Sequence, residues 1–417
     1  MSDSQWNWAG HYAFQAPILL PESIEELADQ VVRHEKVRAL GTRHCFNDIA
    51  DSPGVLVSTL KLNHISKVDE HAMTVKVGPG VRYGDLVGPL TDQGYALENL
   101  ASLPHITVVG GSITATHGSG NQNGCLSTAV VGLKIMGPDG VEQEWSHTSK
   151  GEEFNGAVVS LGALGIVTEA TLRLKPTFEV KQVVFDEMPF QAVEESFDEI
   201  TGAGYSVSLF TDWTTPRINQ VWVKSLADAP DLPDDWFGAA KATTPRHPVP
   251  RQSPINCSEQ LGVPGSWGDR LPHFRMDFTP SAGEELQTEY FVPRHLAIPA
   301  MKAVMAIGEA IPRALQITEI RMIKADELWM SPFYHQDSVG IHFTWRKDWK
   351  AVAPLLPVIE ERLAEFGARP HWGKIFHMSA EKLTPRYERY PEFYDLVKRT
   401  DPNGKFSNAY LARTLEI

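Results

Sequence analysis

The chain has 417 residues, too many for one ordinary core, so two domains of roughly 100–200 residues are expected. Its 38 Lys+Arg against 52 Asp+Glu give a net charge of −14, which repels phosphate backbones and anionic membrane surfaces and argues against a nucleic-acid or membrane partner. With 42% hydrophobic and 22% charged residues it reads as an ordinary globular protein, and its 32 Gly and 29 Pro favour mixed α and β structure over a helical bundle.

Three scattered cysteines, Cys45, Cys125 and Cys257, suit neither a disulfide framework nor a zinc site and point to a reducing compartment. The first residues lack a basic stretch followed by an apolar run, and no run of about 18 apolar residues occurs, so a cytoplasmic, unanchored protein is expected.

In chain order, Pro21-Glu22-Ser23 leads into Ile24, Leu27, Ala28 and Val31, the spacing of an amphipathic helix with acidic residues in its first turn. Val37–Leu40 reads as a strand that ends in the loop Gly41-Thr42-Arg43-His44-Cys45-Phe46-Asn47. Strands follow at 55–57 and 73–77, then a helix from Tyr83 to Leu90. From Ala101 to Gly120, Gly110, Gly111, Gly118 and Gly120 alternate with Ser102, Thr107, Ser112, Thr114, Thr116 and Ser119, almost without charge. A hairpin over 129–145 and a strand opening at Leu161 and running to Pro176 complete the first part.

Eight prolines fall between Pro230 and Pro272, so that segment reads as an irregular surface excursion without function. Order returns with a strand at Thr288–Val292, a helix around 298–307, strands at 315–323 and 339–345, a helix near 355–366 and the segment His371–Phe376.

Amides freed by glycine, with small hydroxyls between them, form concavities that hold the phosphates of a nucleotide cofactor; a flexible linker is the plain alternative for 101–120. The loop at 41–47 adds Arg43 and His44, and two such loops after strands suit an extended dinucleotide. In the strand 315–323, alternation places Leu315, Ile317, Glu319, Arg321 and Ile323 on one face, so Glu319 and Arg321 are either a structural ion pair or part of a substrate pocket. His342 and Thr344 share a face in the next strand. Lys374 lies between Trp372 and Phe376, where partial desolvation lowers an ammonium pKa. These donors and acceptors suit a polyhydroxylated neutral ligand, and no His, Asp or Glu set has convincing metal spacing.

Seven motifs carry a resemblance that runs over nearly the whole chain: Gly41-Thr42-Arg43-His44, Ala101-Ser102-Leu103-Pro104-His105, Thr116-His117-Gly118-Ser119-Gly120, Thr318-Glu319-Ile320-Arg321, Ile341-His342-Phe343-Thr344, His371-Trp372-Gly373-Lys374, and the run from Asp401 to Asn408. In order and spacing they resemble the alditol oxidases of the vanillyl-alcohol-oxidase family of covalent flavoproteins. The resemblance implies an α+β fold, with an FAD-binding domain from residues 1–176 and 380–417 and an antiparallel-sheet cap domain from 177–379.

It also implies oxidation of the terminal C1 hydroxyl of an alditol such as xylitol or sorbitol, with hydride passing to flavin N5 and O2 becoming H2O2. His44 matches the histidine joined covalently to FAD. Gly41, Thr42, Arg43, Cys45, Ser102, Thr107, Gly110, Thr114, Ala115, Thr116, His117, Gly118 and Ile166 match cofactor-contacting positions. Ser102, Glu319, Arg321, Thr344 and Lys374 match the polyol-binding set. Lys374, Arg321, His342 and Glu319 are the catalytic candidates, with Lys374 or His342 as the base, and Ala101 matches the position that gates oxygen. Cys45 stands where a serine is expected and reads as a small packing residue. Sugar-lactone oxidases or dehydrogenases share these elements and are the alternative. A monomer acting on a small polyol and O2, with no metal, completes the expectation.

Overall fold

The first helix forms at Ile24–Arg33 because Ser23 caps it, accepting from Glu26 N at 3.2 Å, while Leu27 and Val31 bury one face. The computed structural model describes residues 5–278 and 284–417. That helix packs on a three-stranded parallel sheet ordered Ile18–Leu19, Val55–Ser58, Val37–Leu40.

A four-stranded antiparallel sheet follows, ordered Thr74–Val77, Ile166–Arg173, Val130–Met136, Glu142–Trp145. The strand expected to open at Leu161 begins instead at Ile166. Leu161, Gly162 and Gly165 have φ of 54°, 71° and 142°, values a strand does not adopt, so 161–165 is a turn. Within the glycine-rich stretch the chain makes a six-residue helix, Val108–Ile113, where a loop is expected from composition; only the flanking residues stay irregular.

From Glu179 to Pro370 the chain builds a 10-stranded antiparallel sheet. Its centre runs Ser206–Thr211, Leu315–Ile323, Ser338–Arg346, Glu285–Pro293. The last of these starts three residues before the expected Thr288, so Glu285 and Gln287 join the alternation with Glu289. The proline-rich segment is not featureless: it contributes short strands at Asp235–Trp236, Ala239–Lys241 and Gly265–Ser266 to this sheet.

The C-terminal helices Tyr390–Thr400 and Ala409–Leu415 return to the first part of the chain. Asn408 caps the last helix and its Nδ2 donates to Ile49 O at 3.0 Å and Asp51 O at 2.8 Å. Buried Arg38 ties the same parts together, donating to the carbonyl oxygens of Ile49, Leu161, Gly162 and Phe406. One hydrophobic core runs continuously through the smaller antiparallel sheet, the large sheet and these helices. Among the described residues no helix is long and apolar enough to cross a membrane.

Candidate active site

Arg43 occupies the left-handed region, φ 64°, which turns the chain sharply before His44. The turn is held from outside by the N-terminal segment: Trp8 N donates to Arg43 O at 2.8 Å and Asn7 Nδ2 to Cys45 O at 3.0 Å. His44 lies against the Trp8 ring, centroids 5.3 Å apart and planes within 21°, and its Nδ1 is 3.0 Å from Thr42 Oγ1. Burial pushes its ionisation down to about 3, so the imidazole is neutral and keeps a lone pair. Burial likewise raises the Cys45 thiol to about 11, and its Sγ lies 3.2 Å from where a Cβ on Gly373 would stand, so Cys45 packs into the space glycine leaves.

The glycine-rich segment faces this loop. A Cβ on Gly41 would stand 2.6 Å from Thr107 Oγ1, and one on Gly110 2.7 Å from it, so neither position accepts a side chain without displacing Thr107. Thr114 Oγ1 donates to Gly110 O at 2.9 Å and lies 3.2 Å from Thr116 Oγ1.

A cavity of about 260 Å³ is lined by both loops and by the large sheet. Its wall includes Gly41, Thr42, Arg43, His44, Cys45, Ala101, Ser102, Thr107, Gly110, Thr114, Thr116, His117 and Ile166 together with Glu319, Arg321, His342, Thr344 and Lys374. Ala115 and Gly118, also expected at the cofactor, are not in the wall. Ala115 is fully buried behind it at φ 53°, and Gly118 is pressed so close to Leu100 that a Cβ would lie 2.4 Å from the Leu100 carbonyl oxygen.

Strand register explains the polar side of the wall. His342 stands opposite Glu319 on one neighbour and opposite Glu289 on the other, so three ionisable side chains form a row across three strands. Directly opposed residues of antiparallel strands share a face. Arg321 is opposite Gly340, and the space a Cβ there would fill, 3.2 Å from Glu289 Oε1, lets the guanidinium reach that carboxylate diagonally. Arg321 Nη2 donates to Glu289 Oε1 at 2.7 Å, and its Nη1 donates to Ser102 Oγ at 3.4 Å. Burial alone would raise the Glu289 pKa, but the Arg321 guanidinium and His117 hold its carboxyl well below the usual range.

Glu319 accepts from His273 Nε2 at 2.7 Å through Oε1, while its Oε2 is 3.7 Å from Arg321 Nε, a buried N–H that no side chain among the described residues accepts from. An unpaired buried donor beside a free carboxylate oxygen is the arrangement a hydroxyl group completes, accepting from one and donating to the other.

Lys374 Nζ sits 4.9 Å above the centre of the Phe46 ring and donates to Gln287 Oε1. Its aromatic neighbour is thus Phe46, not the expected Trp372 and Phe376: Trp372 is in the core against Tyr387 and Phe376 against Tyr410. Burial lowers the Lys374 pKa. Burial also takes His342 down to about 3.

Comparison with known proteins now separates the possibilities. Over 100% of both chains the sequence is 46% identical to an alditol oxidase of Streptomyces sp. (strain IKD472 / FERM P-14339). The chain belongs to the alditol oxidase family. A model of FAD binding domains matches residues 16–146, and a model of D-arabinono-1,4-lactone oxidase matches residues 283–414. More distant relatives are an L-gulonolactone oxidase of Mus musculus, 25% identical over 98% of this chain and 97% of its own, and an L-gulono-1,4-lactone dehydrogenase of Mycobacterium tuberculosis, 26% identical over 100% of each. A crystal structure of cholesterol oxidase from B. sterolicum superposes with a TM-score of 0.79 at 13% identity, covering 99% of this chain and 96% of that one. That likeness establishes the α+β fold of the vanillyl-alcohol-oxidase type.

The match to FAD binding domains implies that cofactor, and the described residues fit it: a side chain at Gly41 or Gly110 would displace Thr107, and a neutral imidazole stands beside these loops. Several wall residues have no assigned role in the sequence expectations. Glu285, Gln287 and Glu289 come from the longer strand, His371 from the turn before Lys374, and His247, Val249, Gln252, His273 and Phe274 from the proline-rich excursion and its end, which was expected to be without function. The alternation Glu285-x-Gln287-x-Glu289 between apolar Leu286 and Tyr290 is the signal that points to the first three. His117, Glu289 and His371 bring ligand atoms within 4.8 Å of one another, a set that no sequence spacing shows; Arg321 already gives Glu289 a cationic partner.

Proposed function

We propose that this protein oxidises the terminal C1 hydroxyl of alditols such as xylitol and sorbitol to the aldose, with FAD bound covalently through His44 and O2 reduced to hydrogen peroxide. The observation that carries the reading is the polar row Glu319, His342 and Glu289, with Arg321 and Lys374, opening on the same cavity as His44. Bound FAD supplies the hydride acceptor and the route of electrons to O2.

Ser102, Glu319, Arg321, Thr344 and Lys374 hold the polyol, with one hydroxyl between Glu319 Oε2 and Arg321 Nε. Lys374 takes the proton of the C1 hydroxyl: a base whose conjugate acid ionises near 3, as His342 does, holds a proton too weakly at neutral pH, whereas burial lowers the Lys374 pKa below that of a free amine. His342, between two carboxylates, serves as a neutral hydrogen-bonding partner to substrate. Gly41, Thr42, Arg43, Thr107, Gly110, Thr114, Thr116, His117 and Ile166 line the cofactor side, and Ala101 stands at the oxygen path. Residues 1–176 and 380–417 make the flavin domain and 177–379 the cap of a monomeric cytoplasmic enzyme.

Peroxide release from xylitol and sorbitol, against gulono- and galactono-lactone, tests the activity. Preference for a lactone, which the match to D-arabinono-1,4-lactone oxidase over 283–414 would then explain, replaces this reading with the alternative. Covalent attachment is read separately: flavin colour that survives acid precipitation, and is lost in His44→Ala, supports it; colour that washes out of the natural protein refutes it.

A further inference from the structure

The proline-rich excursion ends inside the site. Lys224, fully buried, donates through Nζ to Leu271 O at 2.5 Å and Pro272 O at 3.0 Å. The next two amides, His273 N and Phe274 N, donate to Ser102 O at 3.2 and 3.3 Å, so the strand-like end of the excursion is clamped against a residue of the flavin side. His273 lies between two aromatic edges, Phe210 at 5.7 Å and Trp222 at 5.2 Å, which fix its ring plane.

From that fixed ring, Nε2 is 2.7 Å from Glu319 Oε1. A carboxylate only accepts, so Nε2 carries the proton. Among the described residues nothing bonds the buried Nδ1, so a second proton there would be unpaired, and the neutral Nε2–H form is the one the surroundings support. A single donor thus occupies one oxygen of Glu319 and leaves the other directed to the gap beside Arg321 Nε.

We infer that His273 is a positioning residue that determines specificity for substrates carrying hydroxyls beyond the reacting end, by holding Glu319 in the orientation that accepts such a hydroxyl. The inference rests on the alditol reading above and adds to it the residue that orients Glu319. It also gives the excursion a purpose: the Lys224 clamp delivers His273 to a strand of the large sheet from 46 residues away.

The test compares kcat/KM for xylitol with that for pentane-1,2-diol, which keeps the reacting end and lacks the remaining hydroxyls. In His273→Leu the xylitol-to-diol ratio falls by roughly tenfold, through KM for xylitol, because Glu319 is no longer oriented, while flavin content stays at the natural level. His273→Gln, whose amide donates from a similar reach, restores the ratio to within about threefold. If His273→Leu is not recovered as flavin-loaded protein, His273→Asn, whose shorter amide falls short of Glu319, is read in the same way. An unchanged ratio, or equal losses on both substrates, overturns the role of His273 and leaves alditol oxidation standing. A natural enzyme that oxidises no alditol overturns both.

Discussion

Arg321 and Glu289 meet at 2.7 Å, Nη2 to Oε1, although they come from different strands and both are almost wholly enclosed. Breaking a buried pair leaves the surviving charge without compensation, which costs about 3–5 kcal/mol. Because Glu319 Oε2 remains 3.7 Å from Arg321 Nε, Glu289→Gln is expected to lower the unfolding free energy by the lower end of that range, about 3 kcal/mol, in a urea titration. A loss under about 1 kcal/mol would mean that Glu319 alone compensates Arg321.

Lys374 is the group expected to take the substrate proton. Its replacement by Ala is expected to slow flavin bleaching by xylitol about 10²–10⁴-fold in stopped flow, with the visible flavin absorbance of the resting protein unchanged. Bleaching at the natural rate would remove Lys374 from the chemistry.

Acid should weaken the fold through its buried imidazoles. Burial pushes His273 down to about 4 and His342 down to about 3, against 6.5 for a free imidazole. Below 6.5 the unfolded chain therefore binds protons that the folded one refuses, so stability is complete above that pH and falls as the solution is acidified toward 4. The slope approaches about 1.4 kcal/mol per pH unit for each group. Unfolding midpoints measured from neutral pH downward should fall; a level profile across that window would contradict the assignment of both histidines as neutral.

Gly118→Ala places a Cβ 2.4 Å from Leu100 O and 2.5 Å from Asn99 Oδ1, and the nearer contact is backbone that cannot swing aside. A destabilisation of about 1–3 kcal/mol is expected from such overpacking, seen as a lowered thermal midpoint. Gly94→Ala is the comparison, since a Cβ there meets nothing among the described residues within 4 Å; its φ of 81° adds only the backbone cost.

Local rules read from the sequence carried a good part of the site. Alternation in 315–323 is enough to put Glu319 and Arg321 on one face, because side chains of a strand repeat every second residue wherever the strand lies. The same rule pairs His342 with Thr344, and the density of glycine is enough to mark the loops at 41 and 110–120 as backbone-lined. Motif order over the whole chain was enough for the family and for FAD.

What only the tertiary structure decided depends on which distant segments pack together. Glu289 joins His342 and Arg321 through strand register, and the absent side chain of Gly340 permits the diagonal contact; neither leaves a local pattern in sequence. Phe46, rather than its own neighbours Trp372 and Phe376, faces Lys374, since a turn residue's contacts come from whatever folds over it. His273 is the sharpest case: composition marks its segment as an irregular excursion, and only the buried Lys224 clamp carries it to Glu319. Periodicity is a property of the backbone and is written locally, whereas register and loop docking are set by burial summed over residues hundreds of positions apart.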